Sequence, residues 1–135
     1  MTAKEFLKQA YYVHQEIEIK LEQISRLQSL ATRTTSTLKE MPGASRAVSV
    51  VENAVMAIEE NTTQLAEELN RLVEVYEKIT NRIARMENPQ ERIILKYRYL
   101  CFLPWTTISF LLKSSERKIF LLHNQALKNF STCLQ

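Results

Sequence analysis

Apolar residues over the first two-thirds of the chain recur in alternating steps of three and four. The first run takes in Phe6, Ala10, Val13, Ile17, Ile24, Leu27, Ala31, Leu38 and Met41, with Lys20 and Thr34 in its two polar slots. Pro42-Gly43 breaks the pattern. A second run then follows through Val48, Val51, Val55, Ile58, Thr62, Leu65, Leu69, Leu72, Tyr76, Ile79, Ile83 and Met86. Such a period, held over so many turns, is the mark of paired helices with a common seam. It predicts two helices of about 40 residues, each roughly 60 Å long at 1.5 Å per residue. The tight Pro-Gly connection makes them antiparallel neighbours, a coiled-coil hairpin. Thr2-x-x-Glu5 ahead of Phe6-Leu7 is a capping box that starts the first helix.

A second apolar stripe lies beside the seam: Leu7, Leu21 and Leu30 on the first helix, Ala47, Ala54, Ala66 and Val73 on the second. Two helices alone leave that stripe wet. The expected cover is a second copy, giving a homodimer or higher assembly through residues 1–87 with four helices at its centre. The competing cover is the C-terminal part of the same chain folded back.

Composition narrows the function classes. The 135 residues include one Gly and three Pro, where average usage gives roughly nine and seven. Turn-rich β folds and glycine-lined phosphate loops, Rossmann and P-loop sites included, are excluded on that ground. All fifteen acidic residues are Glu, and there are only two His and two Cys. Neither His14 nor His123 has a His or Cys one helical turn away, so no metal is expected. The one dense carboxylate group, Glu59-Glu60 with Glu67-Glu68, reads as a solvated helix face. No convergent acid, base or nucleophile is visible, so the chain is expected to be neither an enzyme nor a cofactor carrier. Cys101 and Cys133 form no ligand pattern and read as reduced thiols of a cytoplasmic protein. No apolar run follows a basic head at the start, and no window approaches 18 uncharged apolar residues. Neither a signal peptide nor a membrane span is expected.

Asn88-Pro89 is the expected domain boundary, with Asn88 as N-cap, Pro89 in the first turn and Glu91 completing a capping box. Residues 88–135 then read as three helices. The first runs from Pro89 to about Phe102, with Ile93, Ile94, Tyr97 and Leu100 on its apolar face. The second runs from Trp105 to Leu112. After the turn Lys113-Ser114-Ser115, the third runs from Glu116 to about Ser131, with Ile119, Leu122, Ala126, Leu127 and Phe130 inward. A short helix, a three-residue turn and a longer helix with basic residues in its first turn make a helix-turn-helix layout. Charge agrees: residues 1–87 carry −2, residues 88–135 carry +5.

The stretch Ser115-Glu116-Arg117-Lys118-Ile119, followed by Ala126-Leu127-Lys128 and preceded by Trp105-Thr106-Thr107-Ile108, resembles the recognition region of bacterial sigma-factor region 4. Nearly the whole chain resembles a family of small phage and prophage proteins of Gram-positive bacteria, related to the ArpU-type late-transcription regulators. The resemblance is carried by Thr2 to Leu7 with Gln9-Ala10, by Leu30 to Thr32 and Thr35 to Leu38 with Met41-Pro42. It continues in Arg98 to Phe102, Trp105, Leu122-His123 and Ala126-Leu127. It implies a regulator in the host cytoplasm that binds double-stranded promoter DNA. Thr106, Thr107, Ser115, Glu116, Arg117, Lys118, Leu121 and Lys128 are then the DNA-facing residues. Two features depart from the pattern. Phe120 and Leu121 stand where sigma region 4 has polar reading side chains; they contact thymine methyls or dock a protein such as RNA polymerase. Lys113 stands where a Gly is common, which calls for a left-handed backbone at a non-glycine residue.

Overall fold

A computed structural model describes residues 1–38 and 44–133, and every element in it is helical. The helices are α1 (Ala3–Leu38), α2 (Ala44–Ile83), α3 (Pro89–Leu95), α4 (Trp105–Leu111) and α5 (Glu116–Cys133). α3 runs on into a wider π turn, Lys96–Leu100. The Pro42-Gly43 connection, Met41, and the side chains of Leu38 and Ala47 lie outside the described residues.

Local chemistry accounts for the helix starts. The Thr2 amide donates to Glu5 Oε2 at 2.9 Å, and the Glu5 amide donates to Thr2 Oγ1 at 3.2 Å, a closed capping box. Asn88 Oδ1 accepts from the amides of Gln90 and Glu91, with Pro89 in the first turn of α3. Glu91 does not complete a second capping box. Its carboxylate is buried and takes the Asn129 amide of α5 at 2.9 and 2.8 Å, because α3 packs on α5 and a buried acid needs a donor there.

The chain forms two compact units, Met1–His14 with Arg71–Gln135, and Gln15–Asn70. This division differs from a break at residue 88. Leu7, Ala10, Val75, Ile79, Ile83 and Met86 bury themselves in one core with Ile94, Leu95, Tyr99, Ile108, Ile119, Ala126 and Phe130. Both ends of the long helices therefore belong with α3, α4 and α5. Here the C-terminal helices do supply the cover for Leu7, which is fully buried. The redrawn units sharpen the charge contrast. The first holds thirteen Lys/Arg and six Glu, a net +7; the second holds five and nine, a net −4.

In the Gln15–Asn70 unit, Lys20 Nζ donates to Asn61 Oδ1 at 3.2 Å and Gln64 Oε1 at 2.5 Å, which sets α1 beside α2. The covered positions of α2 in this unit are Val51, Ala54, Ala57, Ile58, Asn61, Gln64, Leu65 and Glu68. Val51, Ile58 and Leu65 match the expected seam. Ala54, Asn61 and Glu68 sit one residue earlier than Val55, Thr62 and Leu69, which are exposed, and Ala57 and Gln64 widen the same face. The reason is Lys20: its ammonium needs oxygen partners, and Asn61 and Gln64 supply them only when that face turns inward. Of the second stripe, Leu21, Leu30 and Val73 remain exposed, while Ala54 lies in the seam.

Candidate nucleic-acid interface

The first C-terminal helix is not regular. An unbroken α-helix continuing the buried positions Glu91, Ile94 and Leu95 would turn Arg98 inward. The π turn, closed by the Cys101 amide on the Lys96 carbonyl at 3.0 Å, instead brings Tyr99 into the core. Ile93, expected inside, is exposed because it lies opposite the buried Glu91 on the regular α3. Arg98 reaches back to the Leu103 carbonyl at 3.0 Å and lies over the Trp105 ring at 4.5 Å. Trp105 stands edge-on to His123 at 4.6 Å, and the Tyr99 hydroxyl lies 2.7 Å from His123 Nε2. Burial, reinforced by the charges of Lys4 and Arg98, lowers the His123 pKa to about 4. Burial likewise pushes Tyr99 up to about 12, the neighbouring Arg98 charge opposing it. His123 is thus a neutral packing residue that fixes α5 against the π turn and α4.

Between α4 and α5 the backbone turns on Lys113, at φ 52°. Its left-handed conformation is the one expected from a position where Gly is common. The turn is closed by the Lys113 amide on the Phe110 carbonyl at 3.2 Å and the Ser114 amide on the Ser109 carbonyl at 3.1 Å. The Ser109 hydroxyl also donates to the Ser114 carbonyl. Ser115 Oγ then accepts from the Lys118 amide at 3.3 Å, an N-cap for α5. Ser114 does not cap; its hydroxyl donates to the Leu112 carbonyl.

α5 buries Ile119, His123, Ala126 and Phe130 and turns the opposite side outward. Arg117, Leu121, Asn124 and Lys128 fall at steps of four, three and four along that side, and all are exposed. They span about 16 Å at 1.5 Å per residue. Lys118 and Glu116 flank the stripe in the first turn, also exposed. Among the described residues no carboxylate lies within ion-pair distance of Arg117, Lys118 or Lys128. Ser115, Glu116, Arg117, Lys118, Leu121 and Lys128 thus share one helix. Thr106 is exposed on the seven-residue α4 and Thr107 is half-buried. Of the two hydrophobes that depart from the sigma pattern, Phe120 leans on Trp105 at 5.3 Å, whereas Leu121 is 62% exposed.

Sequence reasoning missed Phe110, the most exposed aromatic of the region at 82%. Its signal is its place in α4, opposite the buried Ile108 of a helix too short to hide both. His14 stacks on Phe102 at 4.5 Å. Among the described residues no group of three His, Cys, Asp or Glu converges, and no helix is long and apolar enough to cross a membrane. No family model, no curated protein and no solved structure matches the chain.

Proposed function

We propose that the chain is a DNA-binding transcriptional regulator, of the phage-borne kind its sequence resembles. In this reading α4, the Lys113 turn and α5 act as a sigma-region-4-like helix-turn-helix. The observation that carries it is the outward stripe of α5, where Arg117, Asn124 and Lys128 stand exposed with no acidic partner for the cations. Arg117 is the base reader, since a guanidinium pairs with guanine in bidentate fashion. Lys118 and Lys128 meet phosphates, and Ser115, Glu116, Thr106 and Thr107 flank them. The +7 charge of the unit that holds the stripe favours a polyanion. The regulator works as a homodimer. Val48, Val55 and Leu69, exposed on α2, supply the unpartnered apolar face, and the Lys20 layer supports reading α1 and α2 as an antiparallel hairpin.

The test is duplex binding as a function of salt. Each neutralised phosphate contributes about −0.9 to the slope of log affinity against log salt. Lys118→Ala should weaken every sequence alike and flatten the slope by about one unit, while Arg117→Ala should cost about 1–3 kcal/mol on a selected operator. Absence of salt-dependent duplex binding in the full chain refutes the reading. A second reading is favoured by Phe110 and Leu121: a docking surface for a protein such as RNA polymerase. It requires that Leu121→Ala abolish a protein interaction while both basic substitutions leave affinity for DNA untouched.

A further inference from the structure

Phe102 holds φ at 57°, a region that bulky side chains avoid. The strain is sustained from both sides: the Leu103 amide donates to the Tyr97 carbonyl at 3.0 Å, and Arg98 holds the Leu103 carbonyl at 3.0 Å. The result is a fixed ring. It stacks on His14 at 4.5 Å and 16°, meets Tyr76 edge-on at 6.3 Å, and stands 6.0 Å from Tyr11. That ring is one wall of a half-open cavity of about 280 Å³. Lys8, Tyr11 and Tyr12 of α1 form one side, and Arg98, Tyr99 and Phe102 the other. All belong to the Met1–His14 and Arg71–Gln135 unit.

The lining is chemically lopsided. It presents two cations and four aromatic rings, and among the described residues no carboxylate lines it. Tyr11 and Tyr12 are adjacent aromatics left exposed, their rings 5.9 Å apart. Arg98 is pinned by Leu103 and Trp105 and still has further N–H groups to offer. Cations without an acid beside stacking rings suit a ligand with negative charge at one end and a flat apolar body at the other. The volume lies at the low end for small-molecule sites, enough for one ring system and one anionic group.

We infer that this cavity is a binding site for a small planar organic anion, a ring bearing one carboxylate or one phosphate. Lys8 and Arg98 take the charge, and Tyr12 and Phe102 flank the ring. The inference rests on neither DNA binding nor dimerisation, and its test uses the full chain without DNA. Calorimetric titration with indole-3-acetate and with adenosine monophosphate distinguishes the carboxylate from the phosphate source. Inorganic phosphate and adenosine alone report what each half contributes.

At least one whole probe should bind with a Kd below about 1 mM, and more tightly than the halves. Lys8→Ala should weaken it about tenfold, the scale of one charge-assisted hydrogen bond, and Lys8→Arg should restore it. Tyr12→Ala should weaken it with the helical circular dichroism unchanged, since Tyr12 is exposed. If neither whole probe binds in that range, or if Lys8→Ala and Tyr12→Ala both leave the affinity unchanged, the inference is overturned.

Discussion

Acidification should unlock the contact between α5 and the π turn through one residue. His123 is 5% exposed, its Nε2 2.7 Å from the Tyr99 hydroxyl and its ring against Trp105. The groups that act on it are Tyr99, Lys4 and Arg98; both cations, like burial, favour the neutral imidazole. Its pKa falls from the ordinary 6.5 to about 4. Between those values the unfolded chain carries a proton that the folded chain refuses, so stability rises with pH across that window. The contribution is fully present above pH 6.5 and is lost as pH falls toward 4. Integrated from pH 7 to pH 5, the loss is about 2 kcal/mol, a large part of the stability of a small domain. Urea unfolding of the wild type and of His123→Gln at pH 7, 6 and 5 measures it. The glutamine keeps a polar partner for Tyr99 and removes the titration. Wild-type stability should therefore drop about 2 kcal/mol further than the variant's. If the two drops run parallel, His123 is not held neutral by the fold and the reasoning fails.

The strained turn gives a second expectation. Lys113→Gly should be neutral to about 1 kcal/mol stabilising, because relief of the positive φ offsets the added freedom of the unfolded chain, whereas Lys113→Val should cost more than about 1 kcal/mol; denaturant midpoints decide it. Val55→Glu with Leu69→Glu changes two exposed positions, so helicity should survive while sedimentation at micromolar concentration shifts from dimer to the 15.8 kDa monomer; a wild type that already sediments as monomer refutes the dimer. Truncation after Glu87 should cost far more than a DNA-binding function, because it strips the cover from Leu7, Ile79 and Ile83. Each such side chain is worth about 1.5–3 kcal/mol when buried. The fragment should melt well below the full chain by circular dichroism, and an unchanged melting temperature would contradict the shared core.

The helical character, the capping box at Thr2 and Glu5, the Asn88 cap and the left-handed Lys113 were legible because each depends on a few neighbouring residues. Arg117, Lys118 and Leu121 were read as DNA-facing from the resemblance, and they are exposed because buried Ile119 and His123 fix the phase of α5. What escaped were effects of partners remote in sequence. The α2 seam shifted by one residue at alternate positions because Lys20, 41 and 44 residues away, selects Asn61 and Gln64. Glu91 left its own helix start for Asn129. The base of α1 joined the C-terminal core because Phe6 meets Phe130 at 5.8 Å, a pairing that no local period announces. The cavity beside Phe102 was hidden for the same reason, since its walls come from opposite ends of the chain.

The wide turn at Lys96–Leu100 makes chain length, rather than side-chain type, decisive at one point. A π turn holds one residue more than the α turn it replaces. Adding a further residue at Lys96-Tyr97, with no second widening to absorb it, would leave composition and charge nearly intact. Everything downstream would then rotate by about 100°. Tyr99 would swing off His123, Arg98 would lose Leu103 and Trp105, and α4 would leave its seat on α5. The segment works as a phase shifter: its side chains can be exchanged more freely than another residue can be added.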